Sequence, residues 1–319
     1  MTMAKSPCSV RDDSRGSRMA RAKGTVGVIG LGIMGGSFAR NLVSAGWRVI
    51  GHDIDSKARR AAARAGVELA NDIGDLAAKA PVIITSLPHP DALHDVVAAI
   101  VAAKVKPRVL AEASTFTLDD KIKAEKALRK AGHTMLDCPI SGTGSQAKVK
   151  DIVVYASGDT RAIRKLKPVF AGFSRGVHDL GAFGNSSRMK YVANLLVAIH
   201  NVATAEAMVL GMKAGLDPKM IFETIKSGAG NSRVFELRGP MMVTSKYDDA
   251  TMKIKIWQKD MQVIGDFAKA IGCPTPLFTA TEGIYDTALN SGYAMQDTAA
   301  VCAVLEKTAG VKRGGKKRK

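Results

Sequence analysis

This 319-residue sequence lacks the closely spaced cysteines and histidines that are typical of metal sites. Its four cysteines form no C-x-x-C pair, and its six histidines show no H-x-x-x-H spacing. Zinc sites usually need such spacings, so we expect no metal site. Unpaired cysteines are typical of a reducing compartment, and we therefore expect a cytoplasmic protein. The cysteines are Cys8, Cys138, Cys273 and Cys302.

Long apolar runs are also absent. No run approaches the roughly 20 apolar residues that a helix needs to cross a bilayer, so we predict no membrane segment. The N-terminus lacks the apolar core of a secretory signal, and Asp12 and Asp13 argue against a mitochondrial transit peptide. We expect residues 1–18 to be an expendable extension, or Met19 to be the true start.

Acidic residues are scarce at the two ends of the chain. Residues 1–23 carry six basic and two acidic residues, and residues 312–319 carry six basic residues and no acid. The two ends therefore hold +10 of the formal net charge of +18. We interpret both as disordered, solvated basic extensions, and a weak contact with a polyanion is the alternative.

Short apolar runs alternate with Ala-rich helical stretches over residues 24–184. This alternation predicts an α/β domain with a doubly wound parallel sheet of the Rossmann type. The predicted strands are Val26–Gly30, Arg48–Asp53, Val82–Leu87, Val109–Ser114, Leu136–Ile140 and Ile152–Ser157, and the predicted helices are 37–45, 56–65, 91–103 and 118–131.

No convincing strand pattern follows, and residues 185–311 predict an all-helical second domain. A long helix that starts at Asn185 and ends near Lys213 joins the two domains. Asp217 followed by Pro218 is typical of a helix cap with proline at the first helical position. The further predicted helices are 218–227, 250–271, 276–290 and 297–309.

A glycine-rich turn, Gly30-Leu31-Gly32-Ile33-Met34-Gly35, follows the first predicted strand. A strand, a G-x-G-x-x-G turn and a helix form the fingerprint of a dinucleotide-binding site. Gly30 permits the tight turn, Gly32 lets the backbone approach a pyrophosphate, and Gly35 allows close helix packing. We expect the phosphates at the helix N-terminus, where free N–H groups favour negative charge. The alternative is a turn without a ligand.

Asp53 ends the second predicted strand, 23 positions after Gly30. An acid at this place accepts the ribose 2′-hydroxyl of NAD and repels the 2′-phosphate of NADP, so Asp53 favours NAD. Lys57, Arg59 and Arg60 follow closely and would tolerate a phosphate, which keeps NADP as the alternative. A solvated loop acid is the other interpretation.

Two later segments offer polar groups for a substrate. Ser141, Gly142 and Thr143 supply hydroxyls and accessible N–H groups, which can bind a carboxylate or form an ordinary polar turn. Lys190 and Asn194 are four residues apart and share one face at the start of the long helix. The helix dipole disfavours the charge of a lysine there, which suits acid–base catalysis. A solvated lysine is the alternative.

In this order and spacing, the segments resemble the β-hydroxyacid dehydrogenase family, which includes 3-hydroxyisobutyrate, threonate and tartronate-semialdehyde enzymes. The resemblance covers roughly residues 24–310. It rests on the glycine-rich turn, a substrate loop, a catalytic-helix motif and two short C-terminal motifs. The matching residues are Gly30, Gly32, Met34, Gly35, Ala39, Asn41, Leu42, Gly46, Asp137, Pro139, Ile140, Ser141, Gly142, Ala147, Gly184, Lys190, Asn194, Lys259, Asp260, Asp297 and Ala300.

The resemblance implies hydride transfer between a nicotinamide cofactor and a small β-hydroxyacid, or its semialdehyde. Lys190 would be the general acid or base, and Asn194 would bind the substrate or orient Lys190. The segment 141–143 would hold the substrate carboxylate, and Lys259 would close the cleft beside substrate and cofactor. A homodimer or homotetramer is also implied. Four further residues would line the cofactor: Leu87, Pro88, Ser114 and Thr115.

Two residues depart from the family pattern. Thr143 stands where a second glycine is usual and would reshape the pocket, and Cys138 replaces the usual alanine. We interpret Cys138 as a packing residue, because no histidine base lies nearby in sequence. Residues 230–236 are most similar to the threonate-like branch. The alternative function is a non-catalytic dinucleotide-binding module whose basic tails contact nucleic acid, but such relatives lose the catalytic lysine.

Overall fold

The computed structural model describes residues 22–313, so the hypothesis about Met19 and most of the two basic ends lie outside the described residues. Arg313 differs from the expectation of a solvated tail. Its guanidinium pairs with Glu306 and donates to the carbonyl oxygen of Met242. This carbonyl lies near the end of a helix, where unpaired acceptors favour a cationic side chain.

A six-stranded parallel sheet forms the N-terminal part. Its strand order, β3-β2-β1-β4-β5-β6, is that of a Rossmann-type doubly wound sheet and confirms the predicted fold class. Its central strands, β1, β4 and β5, are mostly apolar because helices cover both faces of such a sheet. The strands are β1 (Thr25–Ile29), β2 (Arg48–His52), β3 (Glu68–Leu69), β4 (Val82–Thr85), β5 (Val109–Glu112) and β6 (Thr134–Asp137); the helices are α1 (Ile33–Ser44), α2 (Ser56–Arg64), α3 (Ile73–Lys79), α4 (Pro90–Ala102) and α5 (Leu118–Lys130).

Several strands end earlier than predicted, and three of them matter for the site. β2 ends at His52, β4 at Thr85 and β5 at Glu112, so the polar residues that follow lie in loops. These loops are at the carboxyl edge of the parallel sheet, which is where open α/β sheets bind ligands. The shorter strands therefore place Asp53 and Ser114 in loops at the binding edge instead of inside the sheet.

A second sheet contains the last predicted strand, Ile152–Ser157, so this strand does not continue the parallel series as expected. The strand predicted at Leu136–Ile140 does continue it, as β6. β7 (Ile140–Ser141) pairs antiparallel with β8 (Val153–Ala156), and β8 pairs parallel with β9 (Gly176–Asp179). The connection from β7 to β8 contains only a five-residue helix, α6 (Gly144–Lys148), which is too short for a parallel crossover. The longer α7 (Thr160–Phe173) joins β8 to β9.

The C-terminal part is mostly helical, as predicted, and begins with the long helix α8 (Asn185–Lys213). Asp217 accepts the N–H groups of Lys219 and Met220, so the predicted cap is correct. The helix α10 was not predicted, because Gly239 and Pro240 interrupt its pattern. The helices after α8 are α9 (Pro218–Lys226), α10 (Arg233–Thr244), α11 (Ile254–Ala270), α12 (Pro276–Ala288) and α13 (Val301–Ala309).

Helix α8 is long and apolar enough to cross a bilayer by length and composition, contrary to the expectation from run length. Within the fold of residues 22–313, however, it packs against the other C-terminal helices. Its buried Asn201 donates to Tyr285 Oη and to the Thr298 carbonyl oxygen, each over 2.9 Å. These contacts are those of the central helix of a packed helical domain, because a buried polar side chain must find partners.

Candidate active site

The glycine turn begins directly after β1, and its glycines are needed for different reasons. Gly30 has a φ of +85°, and a Cβ on it would lie 2.1 Å from the Ser86 carbonyl oxygen. A Cβ on Gly35 would lie 1.9 Å from the Gly30 carbonyl oxygen. The packing of the chain itself therefore requires glycine at both positions. A Cβ on Gly32 would meet no protein atom within 4 Å, so open space lies beside the N-terminus of α1.

Asp53 lies against the glycine turn, at the end of β2. Leu31 N–H donates to Asp53 Oδ2 over 2.6 Å, and Asp55 N–H donates to Oδ1 over 2.7 Å. The carboxylate thus holds the turn in place. Arg59 Nη1 donates to the Asp53 carbonyl oxygen over 3.0 Å, so a cation lies beside the acid that is predicted to select NAD.

The loops after β4 and β5 meet close to this turn. Leu87 N–H donates to Ser114 Oγ over 2.8 Å, which joins the two loops. Lys259 Nζ, from α11, donates to the Thr115 carbonyl oxygen and so connects the helical part to the sheet edge. Leu87, Ser114 and Thr115 line one cleft at this edge of the sheet. Pro88 is exposed and does not line that cleft, so the structure does not bring it to the predicted cofactor site.

Two clefts meet at Lys190. The first has a volume of about 210 Å³ and lies between α1, the strand-end loops and α11; the second has about 540 Å³ and continues toward α10. Gly142, Thr143 and Lys190 line both clefts. Of the other predicted site residues, Ile33, Met34, Leu87, Ser114, Thr115 and Lys259 line the first cleft, and Ser141 and Asn194 line the second.

Thr143 is used differently from the expectation for a carboxylate-binding loop. It caps α6, with its N–H donating to Gln146 Oε1 over 3.0 Å and its hydroxyl 3.0 Å from Ser145 Oγ. The Thr143 N–H is therefore already occupied. The cap uses neither the Ser141 hydroxyl nor the Gly142 N–H. These two predicted donors therefore stay available for a carboxylate.

Cys138 precedes the substrate loop and is 1% exposed. Burial raises the pKa of its thiol well above the ordinary value, with the Asp137 carboxylate acting in the same direction. The side chain is therefore an uncharged thiol, which is a poor nucleophile. This supports the interpretation of Cys138 as a packing residue.

Lys190 is partly accessible from the clefts and otherwise enclosed by protein. Burial is the largest effect on its pKa and lowers it from 10.5 to about 8. The Asp260 carboxylate opposes this shift, whereas the charges of Lys259 and Lys121 add to it. A lysine with a pKa near 8 exchanges a proton readily at neutral to mildly basic pH, as an acid–base group must.

Asp260 belongs to the site, although no motif assigned it a role there. Its partners within the helical part are two predicted site residues. Asn194 Nδ2 donates to Asp260 Oδ2 over 3.0 Å, and Lys259 Nζ lies 3.3 Å from Oδ1. The adjacent Lys-Asp pair was visible in the sequence, but the contact with α8 depends on the fold.

Arg238 is a second residue that sequence reasoning missed. It is 5% exposed, lines the second cleft and lies 2.7 Å from Asp297 through Nη1. Asp297 Oδ2 accepts N–H groups from Thr251 and Met252, over 2.7 and 3.2 Å. This buried ion pair therefore holds a segment that lines the clefts. His200 and Ser232 also line the second cleft without a motif that indicates them.

A further cleft, of about 560 Å³, lies along α11 and α12 and includes Gln262 and Glu282. None of the predicted site residues lines it. We therefore place the candidate active site at the two clefts that share Lys190, where the predicted residues converge from both parts of the fold.

Two family models match the chain. The model of the NAD-binding domain of 6-phosphogluconate dehydrogenase matches residues 25–182. The model of the NAD-binding domain of NADP-dependent 3-hydroxyisobutyrate dehydrogenase matches residues 184–305. The two matches together span the sheet-containing part and the helical part, including every predicted site residue.

Individual relatives are similar over almost the whole of their own length. L-Threonate dehydrogenase of Pectobacterium atrosepticum is 31% identical over 285 residues, which cover 88% of this chain and 93% of the relative. NAD-dependent L-serine dehydrogenase of Pseudomonas aeruginosa is 28% identical, with coverage of 89% and 99%.

A solved structure agrees with the fold as well. The crystal structure of 3-hydroxyisobutyrate dehydrogenase from Salmonella typhimurium has a TM-score of 0.80 and 29% identity, and it covers 88% of this chain and 99% of that chain. Fold, site geometry and sequence similarity thus agree over both parts of the molecule. The chain belongs to the β-hydroxyacid dehydrogenase family of NAD(P)-dependent oxidoreductases.

Proposed function

We propose that this protein transfers a hydride between NAD and a small, hydroxylated β-hydroxyacid, with Lys190 as the acid–base group. The observation that carries this proposal is the place of Lys190 at the junction of the two clefts, with its pKa lowered to about 8. The first cleft adjoins the dinucleotide fingerprint, and the second adjoins the substrate loop. A proton acceptor between a cofactor and an alcohol is what oxidation of that alcohol requires.

The open space at Gly32 supports a dinucleotide at the turn. A ligand backbone or phosphate can occupy this space, and α1 begins at Ile33, so its first N–H groups favour negative charge there. When bound, the cofactor supplies the nicotinamide that carries the hydride. In this assignment Asp53 binds the ribose, and Leu87, Ser114 and Thr115 hold the cofactor at the strand ends.

The other side chains of the site bind and orient the substrate. Lys190 takes the hydroxyl proton during oxidation and returns it during reduction. Ser141 and Gly142 bind the carboxylate, while Asn194 orients the substrate hydroxyl from a position fixed by Asp260. Lys259 ties α11 to the β5 loop and adds positive charge that attracts an acid.

The lining of the second cleft supports a substrate with several hydroxyl groups. Asn194, His200, Ser232 and Arg238 give it hydrogen-bonding groups beyond Lys190. Asn194 and Arg238 also have partners within the protein, at Asp260 and Asp297. A substrate hydroxyl group can use the hydrogen-bonding capacity that these side chains keep, whereas a methyl group cannot. The threonate-dehydrogenase relative points in the same direction. We therefore place a threonate-like acid ahead of 3-hydroxyisobutyrate.

A substrate panel tests this function directly. We expect the purified protein to reduce NAD with threonate, with kcat/KM at least about tenfold above that for 3-hydroxyisobutyrate, since a site that hydrogen-bonds a substrate hydroxyl group discriminates against an acid that lacks it. The panel also contains glycerate, tartronate, 4-hydroxybutyrate and 3-hydroxypropionate, and absorbance of NADH is the measurement. The absence of activity on every member would contradict the function, while a preference for 3-hydroxyisobutyrate would contradict only the substrate class.

The choice of NAD depends on Asp53. Its replacement by alanine is expected to lower kcat/KM for NAD by about tenfold and to raise the NADP/NAD ratio of kcat/KM, because the ribose acceptor and the negative charge are lost together. Arg59 then faces the 2′-position without competition from the acid. Steady-state kinetics with both cofactors measure the change.

The control for this variant is Asp55→Ala. Asp55 is also an acid at the start of α2, where its side chain accepts the Lys57 N–H over 2.9 Å. Its loss should weaken the helix cap without changing the NADP/NAD ratio. An unchanged ratio in Asp53→Ala, or an equal change in both variants, would remove Asp53 from its assigned role.

We also propose a homo-oligomer, in which a second copy covers an apolar stripe on α8. Met189, Val192, Leu196 and Leu210 are between 44% and 73% exposed and recur at helical spacing. Sedimentation of the protein as a 33.7 kDa monomer would contradict this.

The three cysteines that the structure describes are free, which supports the cytoplasmic location. The matches with dehydrogenases give no support to the nucleic-acid alternative.

A further inference from the structure

A buried lysine lies between the cofactor loops and the helix that carries Lys190. Lys121, in α5, has no exposed side-chain surface. Its Nζ donates to Asp137 Oδ1 and to the Ser114 carbonyl oxygen, each over 2.7 Å. It also lies 2.7 Å from Glu112 Oε2, in an ion pair outside hydrogen-bond geometry. Both carboxylates are fully buried as well.

The Glu112 side of this cluster reaches the cofactor loops. Ser114 N–H donates to Glu112 Oε1 over 2.8 Å, and Ser114 Oγ in turn accepts the Leu87 N–H. Lys121 binds the carbonyl oxygen of the same serine. The position of Ser114 is therefore fixed at its N–H by Glu112 and at its carbonyl by Lys121.

The Asp137 side of the cluster reaches the start of α8. Asp137 Oδ2 accepts the Ser187 N–H over 2.7 Å, and Oδ1 accepts the Ser187 hydroxyl over 2.9 Å. Ser187 lies in the first turn of α8, three residues before Lys190. The carboxylate thus caps the helix end where the dipole favours a negative charge.

A buried ion cluster of this kind is not explained by stability alone. Apolar residues of similar volume stabilise a core at least as well, because buried charges lose their hydration. Although burial lowers the pKa of Lys121, the Asp137 and Glu112 carboxylates outweigh it and raise that pKa above the ordinary value. The ammonium therefore stays charged. Its partners connect it to the loop after β5 and, through Asp137, to the start of α8, and the reaction depends on the relative position of these two elements.

We propose that Lys121 is a positioning residue for the reaction, which fixes the start of α8, and with it Lys190, against the cofactor loop after β5. The inference rests on the proposed function of Lys190. A fixed ammonium with three short contacts sets the distance between two elements more narrowly than apolar packing does, because hydrogen bonds are directional. Small displacements of a reacting group reduce catalysis strongly.

Lys121 also acts on Lys190 through its charge. The charged groups that act on the pKa of Lys190 are Asp260 and Lys259 from α11 and Lys121 from α5. The two lysines favour the neutral form of Lys190, and Asp260 favours the charged form. Removal of the Lys121 charge is therefore expected to raise the pKa of Lys190. The pH at which the rate of oxidation rises should then be higher.

The test is the charge-balanced double variant Lys121→Met/Glu112→Gln. It removes one positive and one negative charge, keeps an oxygen at position 112 for the Ser114 N–H, and leaves Asp137 bound to α8. We expect kcat for oxidation to fall at least about tenfold, with KM changed much less and the rising limb of the pH profile moved to higher pH. A folded variant with wild-type kcat and wild-type pH profile would overturn the proposal.

The matched control removes a surface ion pair from the same helix. Arg129 Nε lies 3.0 Å from Glu125 Oε1, and both residues are in α5. The variant Glu125→Gln/Arg129→Gln should leave kcat and the pH profile unchanged, since exposed pairs contribute little. If the Lys121 variant does not fold, Ser187→Ala removes the hydroxyl contact of Asp137 with α8 and keeps the N–H contact, without removing a charge. A smaller fall in kcat is then expected, and a wild-type kcat in that variant would overturn the proposal.

A second readout requires no substrate and separates this inference from the proposed function. Trace acetylation of Lys190, followed by peptide mass spectrometry over a pH series, measures its pKa in wild-type and variant proteins. A higher pKa in Lys121→Met/Glu112→Gln supports the coupling even if no acid of the panel is oxidised. An unchanged pKa contradicts it even if the wild-type protein is an active dehydrogenase.

Discussion

Replacement of Lys190 by methionine is expected to lower kcat for hydroxyacid oxidation by at least about 100-fold, because the proton acceptor at the substrate hydroxyl is lost. Methionine keeps the length and the apolar stem of the side chain. The Kd for NAD should stay within about threefold, since the loss is confined to the chemical step. Stopped-flow or steady-state kinetics and fluorescence titration of NAD measure the two quantities separately.

The direction of the pH dependence follows from the pKa of Lys190, which burial lowers to about 8. Oxidation needs the neutral amine, so its rate in the wild-type protein rises as pH increases through about 8. Reduction needs the ammonium, and its rate falls over the same interval. Lys190→Met should lose both dependences, because the group that titrates is gone.

Lys213→Met is the matched control for this variant. Lys213 lies on the same helix, is exposed, and donates to the Ala309 carbonyl oxygen over 2.8 Å. Its replacement should leave kcat and the pH profile unchanged. Turnover of Lys190→Met within a few-fold of wild type would show that another group carries the proton, and Lys190 would then lose its assigned role.

Replacement of Gly32 by alanine is expected to raise the Kd for NAD by at least about tenfold while the protein stays folded. No protein atom lies within 4 Å of the added Cβ, and φ is −66°, so the chain tolerates the side chain. The pyrophosphate requires that space for close approach. Thermal unfolding should change little, because Gly32 makes no side-chain cap and the added Cβ enters open space. Calorimetry or fluorescence titration gives the Kd.

Two other glycines provide the comparison. Gly30→Ala should lower the melting temperature, since its Cβ would lie 2.1 Å from a carbonyl oxygen at a φ of +85°. Gly283→Ala, in an open position of α12, should leave the Kd unchanged and raise the melting temperature slightly, because alanine favours a helix interior. If Gly32→Ala binds NAD as tightly as wild type, the pyrophosphate does not lie against this turn.

The sequence alone was sufficient for the features that depend on neighbouring residues. The glycine turn, the cap at Asp217 and the alternation of strands and helices are local patterns, and their physical causes lie within a few residues. The fold class and the family followed from them. Two of the errors were local as well: the short β3 has little strand pattern, and Gly239 and Pro240 interrupt the helical pattern of α10.

The Lys121 cluster depended on the tertiary structure. Nothing in the sequence distinguishes this buried lysine from an exposed one on α5, since its two carboxylates come from different strands. The same holds for Arg238, whose partner Asp297 lies 59 residues away. Burial of a charge is decided by packing, and the chemistry of a buried charge is decided by which other charges are enclosed with it.

By itself, the sequence determined that a dinucleotide-type sheet is followed by a helical domain. It also determined that Lys190 lies near the start of the helix that joins the two. Only the tertiary structure decided what surrounds that lysine. Asn194 meets Asp260 across 66 residues, and Lys259 meets Thr115 across 144 residues. Contacts between residues so far apart in sequence leave no local signal. The fold, and not the order of residues, buries Lys190 and places Asp260, Lys259 and Lys121 where their charges act on its pKa.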